Sequence, residues 1–383
     1  MIHLYTINFI LAVASAIIMS IAPFLITEGL GISITIFAFM EASTELIAMG
    51  LRFFSGTFFD KIKEKRKIFI VSILFALIGK LFFFYPNSLS IFFSKVCDRI
   101  SNGLFGAPRD AFLANNTVNK GKSAAILTSC RSLGCIISPL LIAYIIVDTS
   151  EIVANLNWII ISVILILILA LISSFYLKDT SGIVNKNKKI FNLNECKDIW
   201  LTNKHLLITF SLFFLARFSD GMIALNMKQA GIPAWIYLST IAIFNSVMIF
   251  ASFGFGKLVD KKHLNLAINL TIISLILFNI ASLLISTSMF LFTFISLFCW
   301  GIQRIGAQTT FVLAMNKNLE NNSKLYLYGS ALGIEAVLSG VTNFIGSMIA
   351  GYIAYYNINY IFVYSLTISV ITWMYFNKKV RDV

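Results

Sequence analysis

Along the chain, long apolar runs alternate with short polar stretches, and the polar stretches carry most of the lysine and arginine. Runs at 4–27, 33–59, 68–86, 89–115, 123–147, 156–177, 205–227, 233–256, 265–286, 288–315, 325–354 and 358–377 recur through the whole length. Each is near or above the roughly 20 apolar residues that a helix needs to cross a hydrocarbon core. Inside lipid every backbone amide must be satisfied by the protein itself, which a helix does within one segment. The pattern therefore predicts an all-α polytopic membrane protein with twelve transmembrane helices. Its longest polar stretch, at 178–204, falls after the sixth run. That places a six-helix half at 1–177, a linker at 178–204 with room for a short amphipathic helix near Ile190–Trp200, and a second six-helix half at 205–383.

Composition agrees with the pattern. Of 383 residues, 58% are hydrophobic and 12% charged, against roughly half and about a quarter in soluble domains. The net charge of +13 would suit a nucleic-acid binder if it were spread over a soluble face, but its distribution says otherwise. Twenty-one Lys and Arg lie in one alternate set of connections and chain ends, including Lys61–Lys67, Lys186–Lys189, Lys261, Lys262 and Lys378–Arg381, and the opposite set holds Lys228 alone. Basic loops stay on the cytoplasmic side, so both termini are expected there. Abundant Ile, Asn and Lys with five Pro suggest a bacterial source, hence its inner membrane. No nucleic-acid partner is expected. The five Cys have no C-x-x-C spacing, so neither a disulfide nor a metal or other cofactor site is expected. The run at 4–27 lacks a basic leader and a small-residue cleavage site, which makes it a first helix rather than a signal peptide. The three His fall at ends of runs, and neither G-x-S-x-G nor H-E-x-x-H occurs, which argues against an intramembrane enzyme.

Two stretches echo one another. Gly56-x-x-x-Asp60-Lys61 ends the second run, and Gly256-x-x-x-Asp260-Lys261 ends the eighth. This resembles the loop between helices 2 and 3 in each half of a major facilitator superfamily transporter. A further stretch, Asp98-Arg99-x-x-x-Gly103-x-x-Gly106-Ala107-Pro108-Arg109-Asp110-Ala111, is similar to a helix-4 pattern in one branch of that superfamily, mostly permeases. The resemblance implies two parallel six-helix repeats with a solute site at their interface. It also implies gating roles for Gly56, Asp60, Lys61, Gly256 and Asp260, with Asp60 near the cytoplasmic start of helix 11, and for Arg109 and Asp110 against the loop after helix 2.

Charges inside apolar runs are expensive and need a partner or water. Arg99 lies about ten residues into its run, near the midplane, and Asp98 beside it points elsewhere because adjacent helical side chains diverge. Each needs its own partner, and Arg99 is read either as a place on a transport pathway or as half of a structural ion pair. Glu41 and Glu45 are four apart and share a face with Arg52. Two such carboxylates resist joint ionisation, so one holds a proton unless a base intervenes; a structural triad is the other reading. In Arg217-Phe-Ser-Asp220 the Arg and Asp are three apart and are expected to pair on one helical face. Arg131, Arg304 and Glu335 complete the interior set.

The interior bases Lys95, Arg99, Arg131, Arg217 and Arg304 match the acids Glu41, Glu45, Asp98, Asp220 and Glu335 in number. Protonating one carboxylate tips the balance positive, toward an anionic or zwitterionic solute. The expectation is a monomeric secondary transporter working by alternating access, with Arg99, Arg217, Arg131 and Arg304 toward the solute and Glu41, Glu45, Asp220 and Glu335 toward protons. A multidrug/proton antiporter and a non-transporting receptor or scaffold of the same fold are the alternatives.

Overall fold

The computed structural model describes residues 2–61, 66–116, 120–177, 193–260, 263–323 and 328–380. Within them the chain is helical, without a strand. The first half comprises α1 (Ile2–Phe24, continued by a π turn at Leu25–Gly29), α2 (Ile34–Lys61), α3 (Arg66–Leu81), α4 (Ser88–Asn116), α5 (Lys120–Ile145) and α6 (Ser150–Phe175). The second comprises α7 (Leu193–Leu215), α8 (Asp220–Gln229), α9 (Ala234–Leu238), α10 (Thr240–Asp260), α11 (Leu264–Leu283), α12 (Met289–Asn321), α13 (Tyr328–Tyr356) and α14 (Asn359–Lys379).

Eleven stretches among the described residues are long and apolar enough to cross a membrane. The twelfth expected span is α4, whose 29 residues would reach about 44 Å at 1.5 Å each. It falls short on apolarity alone, because Lys95, Asp98, Arg99, Arg109 and Asp110 lie within it. Outward-facing positions are apolar: Leu140, Leu165, Leu169, Phe250, Phe298 and Met374 are all exposed. A soluble surface does not carry apolar area on this scale.

The chain packs into two compact units, Met1–Ile190 with Pro233–Ala242, and Phe191–Ile232 with Ile243–Val383. In the first, α1 packs on α5 and α6, and α3 on α4 and α6. In the second, α7 packs on α13 and α14, and α11 on α12 and α14. The internal repeat seen in the two G-x-x-x-D stretches thus extends to helix pairing. The first unit closes over Phe69, edge-on to Phe105 and Phe112 at 5.5 and 5.8 Å. The second closes over Phe278, Trp300 and Phe362, with Phe278 4.5 Å from Trp300.

Two local expectations change. Residues 193–204, read as linker, already belong to α7. The run expected as one helix over 205–227 is broken at 216–219, because Ser219 adopts an extended backbone and its Oγ accepts the Gly221 amide at 3.2 Å. Such a cap is worth about 1 kcal/mol and starts a new helix at Asp220.

Candidate functional site in the interior of each unit

In the first unit the charges of α2, α3 and α4 meet. Lys95 pairs with Glu41 Oε1, and Arg99 spans both carboxylates, with Nη1 2.9 Å from Glu45 Oε2 and Nη2 3.7 Å from Glu41 Oε2. The Lys95 ammonium also lies 5.3 Å from the Phe37 ring centre. Close approach of the two helices makes this possible: a Cβ on Gly103 would sit 2.7 Å from Leu51 Cβ. Asp98 turns away from Arg99, as adjacent helical positions must, and pairs with Lys80 on α3. Lys80 is 1% exposed. A lone charge so placed costs several kcal/mol, and removing one member of a buried pair typically costs about 3–5 kcal/mol. A cavity of about 40 Å³ opens among these groups, lined by Ser15, Glu41, Thr44, Lys95, Asp98 and Arg99. It has room for a few waters at roughly 10–15 Å³ each.

The condition attached to Glu41 and Glu45 is therefore met, since Lys95 and Arg99 intervene and both carboxylates have a cation to face. Arg109 on the same helix donates from Nη1 to Asn8 Oδ1 at 3.1 Å, and Asn8 Nδ2 donates to the Leu127 carbonyl at 2.8 Å. That bridge ties α4 to α1 and α5 through a residue that is 3% exposed.

In the second unit Asp220, first residue of α8, accepts from Trp300 Nε1 at 2.9 Å and from Arg304 Nη1. Because the helix breaks before Ser219, Arg217 and Asp220 do not share one helical face, and the carboxylate's direct hydrogen bonds go to α12 instead. Arg217 lies 5.5 Å from the ring centres of both Phe214 and Trp300, and Arg304 lies 5.0 Å from that of Phe244. Here too a glycine brings helices together, since a Cβ on Gly301 would be 2.8 Å from the Phe244 carbonyl oxygen.

Among the other expected residues, Arg131 is exposed on α5 and Glu335 half-buried on α13, and the pairs described above do not include them. The side chains of Arg52, Gly56, Asp60, Lys61, Asp110 and Asp260 lie outside the described residues. At Gly256 an added Cβ would meet no atom of the described residues within 4 Å.

Sequence reasoning passed over three residues. Lys80 was visible as a lysine inside the apolar run 68–86. Trp300 stands four residues before Arg304, so the two share a face. Asn8 had no signal beyond being polar in an apolar run. With Lys80 added and the exposed Arg131 set aside, five of these bases face five acids, and the balance is even.

A polytopic helical membrane protein with helix-repeat pairing and paired charges in its interior is the class that fold and site define. The sequence profile of the Major Facilitator Superfamily matches residues 4–327. The chain belongs to that family and is a membrane transporter of its type. It is 28% identical to the "Uncharacterized MFS-type transporter MJ1317" of Methanocaldococcus jannaschii, over 95% of this chain and 91% of that one. Among solved structures, nucleoside transporter NupG superposes with a TM-score of 0.76 at 11% identity, over 100% of this chain and 99% of that one. A POT family transporter in complex with a thioalcohol-conjugated peptide gives 0.72 at 11% identity, over 99% and 96%. At such identities the structures share a fold.

Proposed function

We propose that the protein carries a small anionic or zwitterionic organic solute by alternating access, coupled to protons through the α2–α4 network. The observation that carries this is Arg99, which borders the cavity while bonded to Glu45 and near Glu41. A carboxylate or phosphate on the solute competes with Glu45 for the guanidinium, whose fork suits two parallel hydrogen bonds. Once Arg99 turns to the solute, Glu41 and Glu45 share Lys95 alone, and one of them takes a proton. Solute and proton then bind with positive coupling, so the solute's apparent affinity rises as pH falls. Arg217 supplies the second anchor, its face occupied by rings and its edge suited to an anion; Arg304 and Arg131 are further candidates. Asp220 and Glu335 are the next acids to consider for the proton.

The same reading places both termini and the basic loops in the cytoplasm of a bacterial cell, with the chain acting as a monomer built of halves 1–177 and 205–383. Gly56, Asp60, Lys61, Arg109, Asp110, Gly256 and Asp260 serve gating on that side. The test is a solute panel in proteoliposomes with an imposed pH gradient. Accumulation of an anionic or zwitterionic solute is expected; accumulation of cations or neutral solutes alone overturns the reading.

A further inference from the structure

In the second unit, α11 and α12 cross through polar side chains. Ser282 Oγ meets Ser296 Oγ at 2.8 Å, and a Cβ on Gly306 would overlap Thr271 Oγ1. Between these two crossings lies Gln303, 0% exposed and two helical turns beyond Ser296, so it shares the face of α12 that meets α11. The crossings set an antiparallel register that puts residues 274–275 opposite it. Neither end of the Gln303 amide has a hydrogen-bond partner among the described residues, and neither has Oδ1 of Asn279, also 0% exposed. The groups opposite are engaged with their own helix: Ser274 Oγ donates to the Leu270 carbonyl at 2.6 Å and Asn279 Nδ2 to the Leu275 carbonyl at 2.8 Å. Helical side chains lean toward the N-terminus of their own helix. In an antiparallel pair this brings Gln303, leaning toward Cys299, and Asn279, leaning toward Leu275, to one level.

We infer that Gln303 and Asn279 hold a buried water between α11 and α12. Buried polar groups are almost always paired, with water where the protein supplies no partner. A water both donates and accepts, so it answers either end of an amide, and a buried one typically has about three polar partners. A metal cation would answer the oxygens alone. The described polar groups of the seam, Thr271, Ser274, Asn279, Ser282, Ser296 and Gln303, are neutral and offer no carboxylate to offset it, and the next residue is Arg304. An anion would answer only the Nε2 hydrogens.

The repeat gives the site its meaning. Lys80 and Asp98 are the fifteenth residue of α3 and the eleventh of α4; Asn279 and Cys299 are the sixteenth of α11 and the eleventh of α12. A seam closed by an ion pair in the first unit is closed by neutral groups and water in the second. Separating Lys80 from Asp98 strands two charges, whereas a water-bridged amide pairs again with the next water. Exchangeable contacts thus join α11 to α12 where α3 and α4 are pinned. The site stands whatever solute the protein carries.

Radiolytic footprinting of the full chain in nanodiscs tests it. Hydroxyl radicals formed from a bound water oxidise the side chain beside it, and the reporter is the Cys299 sulfur, one turn back from Gln303 and 6% exposed. Wild type should show oxidation at Cys299, and Gln303→Leu should lower it severalfold. Unfolding would raise it instead, so a fall does not come from lost structure. Thermal melts give an independent sign. Gln303→Met removes both polar ends at similar volume: a dry amide would make Tm rise as an unpaired group is lost, whereas loss of a bridging water lowers it. Asn279→Leu combined with Gln303→Met should melt near the lower of the two single variants, because either change alone dislodges the shared water. Cys299 oxidation unchanged in Gln303→Leu overturns the site, as does a Tm that holds or rises in Gln303→Met. Additive losses in the double variant overturn the sharing of one water.

Discussion

The two units hold interior cations in different ways. On α2–α4, Arg99 and Lys95 are held by the carboxylates of Glu41 and Glu45, and Lys80 by Asp98. On α7–α12, Asp220 is hydrogen-bonded to Arg304 and Trp300, while aromatic faces hold Arg217 and lie beside Arg304. A carboxylate that holds an arginine is a competitor which a bound anion must displace, and it can take up a proton when displaced. A ring is neither: it fixes the cation at about 0.5–2 kcal/mol and leaves its charge available. Under the function proposed above, the repeat supplies one half for coupling and another for anchoring.

The largest expected effect lies behind the coupling network. Asp98→Ala strands the ammonium of Lys80, which is 1% exposed, and should lower unfolding free energy by about 3–5 kcal/mol in thermal or denaturant melts of purified protein. Lys80→Ala should cost less, because Asp98 retains 17% exposure. Lys80→Met with Asp98→Leu should recover most of the loss. Full stability of Asp98→Ala would mean that the pair does not form.

A smaller effect is expected at the anchoring half. Trp300→Phe keeps a ring under Arg217 but loses the indole donor to Asp220, at a cost of about 1.5–3 kcal/mol for a hydrogen bond to a charged group. If the rings rather than the acid hold Arg217, Trp300→Leu should be worse than Trp300→Phe in both melting and solute affinity. Equal behaviour of the two would erase the distinction between the halves.

Much of this was legible in the chain. Apolar run lengths gave the helices, and the paired Gly56–Asp60 and Gly256–Asp260 stretches gave the repeat. The demand that Asp98 and Arg99 find separate partners follows from helical geometry and holds in the structure. Partner identity was the harder part, because it depends on which helices pack. Lys80 meets Asp98 only because α3 lies on α4, a contact that no local spacing reveals. The shared helical face expected for Arg217 and Asp220 was lost for a local reason, since Ser219 caps a new helix and three-residue spacing no longer means one face.

The central claim is that Glu41 or Glu45 takes a proton when a bound anion draws Arg99 away. Its most direct test uses the solute found in the proteoliposome panel and compares Glu41→Gln and Glu45→Gln with wild type for pH-driven accumulation and for counterflow exchange. The account predicts that at least one of the two variants loses accumulation while still exchanging solute across the bilayer. If both single variants concentrate solute under the pH gradient as wild type does, the proton is carried elsewhere and the claim fails.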